Sequence, residues 1–166
     1  MRVVATLRYG EGRPGHRLQR IQRLAGVPLP GSVQWELARD AAERGPRDAY
    51  QQLLHLAAQG DLVHHDDTTM RVLELTRKMK RQEPLREDDP ERSGVFTTSV
   101  LSLAPDRPTI ALFFTGPYHA GENLRVVLAA RRAELPRPIQ MCDALSRNMP
   151  EDLHTIVANC LVHGRR

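Results

Sequence analysis

Cysteine is scarce in this chain of 166 residues: Cys142 and Cys160 are the only two. Two thiols make no disulfide framework, so the expected compartment is a reducing cytoplasm. Long apolar runs are also missing. Nothing approaches the roughly 20 residues that a membrane span requires, and no basic-apolar-small segment opens the chain. Internal repeats and low-complexity tracts are absent, which excludes solenoids and arrays. What is present is an ordinary globular mixture, 40% hydrophobic and 27% charged. The length fits one domain, or one domain with a small appendage, and is sufficient to bury a real core.

The net charge of +4 is mild, and its distribution is more informative than its size. Residues 1–39 hold seven arginines, at 2, 8, 13, 17, 20, 23 and 39, against Glu11 and Glu36. Residues 83–91 are acidic, with Glu83, Glu87, Asp88, Asp89 and Glu91 against Arg86. Arginine grips phosphate through a bidentate fork, although arginine richness also arises from coding bias.

The apolar start, residues 1–9, reads as helix until Gly10, Gly12, Pro14 and Gly15 break it. A second helix is expected from His16 to Ala25, with Leu18, Ile21, Leu24 and Ala25 inward and Arg17, Arg20 and Arg23 off that face. Gly26, Pro28 and Pro30 make a turn, and Ser32 is a candidate cap for a third helix carrying Trp35 and Ala38. Such a pair is a candidate helix-turn-helix; two helices of an ordinary bundle give the same pattern. A further helix is expected from Asp48 to Gln59, ended by Gly60. Residues 1–59 thus read as a helical region and 60–166 as the main domain.

From Leu62 the period changes. Leu62-Val63-His64-His65-Asp66-Asp67-Thr68 reads as a strand that carries two acids and continues through Met70–Leu73. Residues 76–93 read as a solvated loop. Val95–Leu103 reads as a second strand, and Thr109–Thr115, nearly all apolar, as a third strand buried on both faces. Gly121–Arg132 is a helix with Leu124, Val127 and Leu128 inward. Pro138-Ile139-Gln140-Met141-Cys142-Asp143 is a fourth strand ending on an acid, parallel because a helix precedes it. Leu153, Ile156, Val157, Cys160 and Leu161 recur at helical spacing and predict a last helix, with Asn148 near its start.

The fold class expected is therefore α/β: three antiparallel strands, then helix, parallel strand and helix. That is the order of a ribonuclease-H-like mixed sheet preceded by a small helical region. In it the first and fourth strands are neighbours. Asp66 and Asp143 would meet on the order of 4–7 Å apart, as suits a shared Mg²⁺ with its Mg–O distances near 2 Å. Hard divalent ions take carboxylate oxygens, and phosphoryl transfer on nucleic acid is chemistry they support.

Four stretches carry a resemblance to a family. They are His64-His65-Asp66-Asp67-Thr68; Phe113-Phe114-Thr115-Gly116 with His119-Ala120-Gly121-Glu122-Asn123-Leu124; Ile139-Gln140-Met141-Cys142-Asp143-Ala144-Leu145-Ser146-Arg147-Asn148; and Asn159-Cys160-Leu161-Val162-His163-Gly164-Arg165-Arg166. In this order they resemble the central part of transposases of the insertion sequence 66 family, of the Asp-Asp-Glu group. The resemblance implies DNA strand cleavage and strand transfer with Mg²⁺, or with Mn²⁺ as an alternative ion. It implies Asp66 and Asp143 as catalytic, metal-holding acids, and Cys160 and His163 as a C-x-x-H stretch. The third acid of the group lies beyond that stretch. Glu151 and Asp152 are too near Asp143 to replace it, so the expectation is a fragment inactive by itself. The partners implied are DNA ends and target, with a homo-oligomer of the full-length protein, in a bacterial cytoplasm near the nucleoid, and no membrane.

Asp67, His65 and His163 are expected to support the site rather than form it. Asp67 should face away from Asp66, because adjacent strand residues point to opposite faces. Cys160 is expected as a buried structural thiol. Arg17, Arg20, Arg23, Arg165 and Arg166 are the candidate DNA contacts. Two other readings stay open: a non-catalytic DNA-binding remnant, and a metal-dependent phosphohydrolase using His64, His65 and Asp66.

Overall fold

A computed structural model describes residues 2–143, 145–149 and 152–162. The chain divides into two compact units, Met1–Gln52 and Leu53–Arg166. The division falls inside a helix.

The first unit is helical. Helix α1 (Arg2–Ala5) runs into a π-helical turn (Thr6–Gly10), followed by α2 (Gly15–Leu24), α3 (Gly31–Arg44) and the start of α4 (Pro46–Ala58). Its core is small: Val4, Leu18, Gln34 and Ala38 are buried. The Gln34 Nε2 donates to the Leu29 carbonyl at 2.9 Å and to Gln22 Oε1 at 3.1 Å, while the Gln34 Oε1 is buried with no partner among the described residues. The guanidinium of Arg8 lies 5.6 Å from the Tyr9 ring and 5.3 Å from the Trp35 ring. Two expectations change. On α2 only Leu18 is buried, whereas Ile21 and Leu24 are exposed. Ser32 caps nothing, because Pro30 is the capping position of α3 and places Ser32 inside the first turn.

The second unit is an α/β layer built on a five-stranded mixed sheet. Its strands are β1 (Leu62–Thr69), β2 (Phe96–Ala104), β3 (Arg107–Gly116), β4 (Ile139–Cys142) and β5 (Ile156–Asn159), in the spatial order β3-β2-β1-β4-β5. The first three are antiparallel neighbours, β4 adds parallel to β1, and β5 adds parallel to β4. Helices α5 (Leu73–Lys80) and α6 (Ala120–Leu128) complete the unit. The expected α/β class and the expected pairing of the first and fourth strands are therefore observed.

Strand alternation sorts the side chains. Val63, His65 and Asp67 share a face with Thr98, Val100, Ser102, Ile110 and Leu112, as the registers require. That face is the core, together with Ala120, Leu124 and Val127 of α6 and with Ala57 and Ala58 at the end of α4. Burying apolar side chains of Val or Leu size contributes roughly 1.5–3 kcal/mol each. The opposite face carries His64, Asp66 and Thr68, and its Leu101, Phe113, Ile139 and Ile156 are exposed. Gly60, between α4 and β1, is needed for close approach. A Cβ there would sit 2.1 Å from Ser102 Oγ, and that hydroxyl is fixed by its bond to the Ala57 carbonyl at 2.7 Å.

Three segments differ from expectation. Strand β1 stops at Thr69, opposite Phe96, where β2 begins. Beyond that point the chain has no strand to pair with, and Leu73–Lys80, composed of good helix formers, becomes α5 instead of more strand and loop. Strand β3 is a sheet edge and buries only Ile110 and Leu112, so it is not covered on both faces. Edge position also lets Pro108 stay in the strand without breaking a ladder. The predicted last helix is strand β5. Its helical spacing is real, but Thr155, Ile156 and Val157 are β-branched and fit a pleated surface, and β4 has an open side to pair. Asn148 accordingly lies in a 3-10 turn, Ser146–Asn148, rather than at a helix start.

Candidate functional site

The parallel register of β1 and β4 pairs Leu62 with Ile139, Val63 with Gln140 and His64 with Met141. Two residues beyond the His64–Met141 pair stand Asp66 and Asp143. Neighbouring strands lie about 4.8 Å apart, so this register brings the two acids to one place. Both line a cleft of about 190 Å³, together with His64, His65, Ser99, Met141, Cys142 and Cys160. Asp66 is exposed, and its Oδ1 accepts the N–H of Asp67 at 2.8 Å. Asp143 is half-buried; its Oδ1 accepts from Asn148 Nδ2 and from the Leu145 N–H at 3.4 Å.

Asp67 goes the other way, into the core. Its Oδ1 accepts from the Thr98 hydroxyl at 2.6 Å, and its Oδ2 accepts the Ala120 N–H at 3.0 Å and meets His119 Nδ1 at 3.1 Å. Its side chain is only 4% exposed. A carboxylate at the first turn of α6 answers the unpaired N–H groups and the positive end of the helix dipole. Asn123 extends the network by donating to the Thr98 hydroxyl at 2.8 Å. Asp67 thus fastens α6 to the sheet.

His65 also faces the core, buried, and its Nε2 accepts from Gln140 Nε2 at 2.9 Å. Burial pushes its pKa down to about 4 against the opposing pull of Asp67, Asp143 and Asp66. The ring is therefore neutral at pH 7, with its proton on Nδ1. His64 and His65 are adjacent on β1, so their side chains leave opposite faces of the sheet. Zinc sites use three or four nitrogen and sulfur ligands. Among the described residues no group of three or more His, Cys, Asp or Glu is placed to hold a metal. Two carboxylate oxygen donors still suit Mg²⁺, which keeps several waters and takes one or two carboxylates.

The start of α6 carries a second polar cluster. The Glu122 carboxylate accepts the His119 N–H at 2.8 Å as a capping box and pairs with both Arg86 and Arg92. Arg86 also pairs with Asp88 and lies 4.3 Å from the Tyr118 ring. The acidic stretch between α5 and β2 is consequently anchored and not freely solvated. Burial pushes the Glu122 carboxyl up, but the His119 N–H and the two guanidinium groups outweigh it and hold it below the usual range.

The remaining expected residues are dispersed. Arg17, Arg20 and Arg23 are exposed along α2. Asp152 is held by Arg125 through two bonds of 2.7 Å and does not line the cleft. Cys160 is not on a helix; it follows β5, its N–H donates to the Cys142 carbonyl at 2.8 Å, and it borders the cleft. Cys142 is the buried thiol, and burial raises its pKa. His163, Arg165, Arg166 and Glu151 lie outside the described residues. Sequence reasoning missed Asn148 as a partner of Asp143. Its signal was the five-residue spacing within one loop, which becomes readable only once that loop is known to close on itself.

Among the described residues no helix is long and apolar enough to cross a membrane. No curated protein and no solved structure matches the chain. The sequence model of the family described as "Transposase IS66 family" matches residues 1–166. With a match over its whole length, the chain belongs to the IS66 family of transposases.

Proposed function

We propose that the second unit is a ribonuclease-H-like catalytic core for cleavage and joining of DNA strands, with Asp66 and Asp143 as its cation-holding acids. The carrying observation is that both acids line one cleft, at corresponding positions past the paired parts of two parallel strands. The strand order β3-β2-β1-β4-β5, antiparallel then parallel, supports the fold reading. Membership in a transposase family supports DNA as the substrate.

In this reading Asp66 offers oxygen from within β1, and Asp143 offers it from just after β4. Asp66 and Asp143 would hold a divalent ion, which when bound would supply Lewis-acid polarisation of the phosphoryl group and activation of the attacking hydroxyl. Asp67 contributes by locking β1 to α6, and thereby fixes where Asp66 points. His65, neutral and buried, holds Gln140 beneath the cleft without adding charge. The described part of the cleft supplies two carboxylates, which attract one ion but do not fix two ions on both sides of one phosphate. The chain by itself is therefore expected to bind Mg²⁺ weakly and to cleave slowly, since positioning is much of what such a site contributes.

The test is a strand-cleavage and strand-transfer assay on element-end DNA with Mg²⁺ or Mn²⁺, beside Asp66→Ala. Trace, metal-dependent cleavage lost in that variant supports the reading. Robust turnover lost in that variant would show a complete site and overturn the weak-activity part. Activity equal in both would remove Asp66 from the mechanism.

A second reading, a module that holds DNA without cutting it, is favoured by the exposed Arg17, Arg20 and Arg23 of α2. The two readings separate on metal dependence: binding without any divalent-dependent cleavage is the outcome of the second.

A further inference from the structure

The Asp143 carboxylate is held at one oxygen. Both of its contacts fall on one oxygen: Asn148 Nδ2 and the Leu145 N–H donate to Oδ1. Among the described residues Oδ2 has no protein partner, although Asp143 borders the cleft. Asn148 is itself almost wholly enclosed, at 1% exposure. Its N–H donates to the Leu145 carbonyl at 2.9 Å. Its carbonyl accepts from Gln140 Nε2 at 2.8 Å.

Gln140 belongs to β4 and is 1% exposed. It is fixed in turn, because the Thr155 hydroxyl donates to its Oε1 at 2.6 Å and its Nε2 also reaches His65. Asn148 is thus tied back to the strand that ends beside Asp143. The amide and the carboxylate, five residues apart in sequence, are held in one frame. The reverse amide orientation would set oxygen against oxygen, so the nitrogen must face Asp143.

We propose that Asn148 is a positioning residue for Asp143: by holding Oδ1 it presents Oδ2 to the cleft as a one-oxygen ligand for a divalent cation. The proposal rests on the reading of Asp66 and Asp143 as the cation-holding acids. A carboxylate whose rotamer is already fixed loses less freedom on binding an ion, and groups that orient ligands in this way are typically worth about 10–100-fold in metal affinity. A role confined to closing the loop would alter stability and leave the ion affinity of the folded chain unchanged.

The experiment titrates Mn²⁺ into the full chain and follows free Mn²⁺ by electron paramagnetic resonance. The chains compared are wild type, Asn148→Leu and Asp143→Asn, each at a temperature where circular dichroism shows it folded. Asn148→Leu should weaken binding about 10–100-fold, and Asp143→Asn at least as much. A companion measurement needs no substitution: in wild type the Asn148 side-chain amide resonances should shift on saturation with Mg²⁺. If Asn148→Leu does not fold, this shift decides. Asn148→Leu binding within about twofold of wild type, while Asp143→Asn binds poorly, would overturn the proposal and leave the site reading standing. A Mg²⁺ titration that moves the Asp66 and Asp143 backbone signals but not the Asn148 amide would do the same. Undiminished Mn²⁺ binding by Asp143→Asn would overturn the site reading and this proposal together.

Discussion

Asp66 and Asp67 are neighbours in sequence and serve opposite faces of the sheet. Asp66 is exposed at the cleft, whereas the Asp67 side chain is 4% exposed and accepts the Ala120 N–H at 3.0 Å. One carboxylate is available for chemistry, and the other is consumed in holding a helix.

Substituting each acid by alanine should separate the two roles. Asp67→Ala removes a helix cap, worth about 1 kcal/mol, and leaves buried donors unpaired at about 1–3 kcal/mol. A loss of about 2–4 kcal/mol is expected in urea unfolding. Asp66→Ala is a surface change and should stay within about 0.5 kcal/mol of wild type. The reverse ranking would contradict the assignment of faces.

Acid stability should depend on Glu122. Its folded pKa lies below the unfolded value of about 4.5. A depressed carboxylate contributes stability that is fully present above the unfolded pKa and is lost as pH falls through the folded one. Glu122→Gln should therefore cost about 1–3 kcal/mol at pH 7, and the gap from wild type should narrow below about pH 4.5. The check is unfolding free energy measured across the acid and neutral range; a gap that widens in acid would refute the sign.

Gly60→Ala should destabilise by about 1–3 kcal/mol, the usual cost of overpacking. The new methyl would lie 2.1 Å from Ser102 Oγ and 3.1 Å from the Leu103 carbonyl. Pairing it with Ser102→Gly should recover part of the loss. An unchanged melting temperature for the single variant would show that the α4–β1 junction is looser than described.

If α2 holds DNA through phosphate, replacing Arg17, Arg20 and Arg23 together by alanine should weaken binding across all sequences. The slope of log affinity against log salt should shrink by about 0.9 for each phosphate that is no longer neutralised. Fluorescence anisotropy at several salt concentrations reads this directly, and an unchanged slope would place the DNA-holding surface elsewhere.

Much of the geometry of the candidate site was legible in sequence, because its signals are local. An apolar run ending in an acid marks Asp66 and again Asp143, and period-two alternation assigns Asp66 and Asp67 to opposite faces. Neighbouring β1 and β4 followed from element order. What sequence did not reveal depends on partners far along the chain. The Ile156–Asn159 segment keeps helical spacing over too few residues to exclude a strand, and only the open edge of β4 decides it. Thr109–Thr115 is apolar enough for a strand covered on both faces, yet among the described residues nothing covers the face that carries Phe113, which is 64% exposed. The ion pairs of Arg86 and Arg92 with Glu122 span 36 and 30 residues, beyond any local pattern.

The central claim is that Asp66 and Asp143 share one divalent cation, and the most direct measurement is anomalous diffraction from crystals of the chain soaked in Mn²⁺. The account predicts an anomalous peak in the cleft about 2.0–2.3 Å from a carboxylate oxygen of each residue, with water completing the coordination. Absence of a peak at saturating Mn²⁺, or a peak held by other residues with Asp66 and Asp143 unligated, would contradict it.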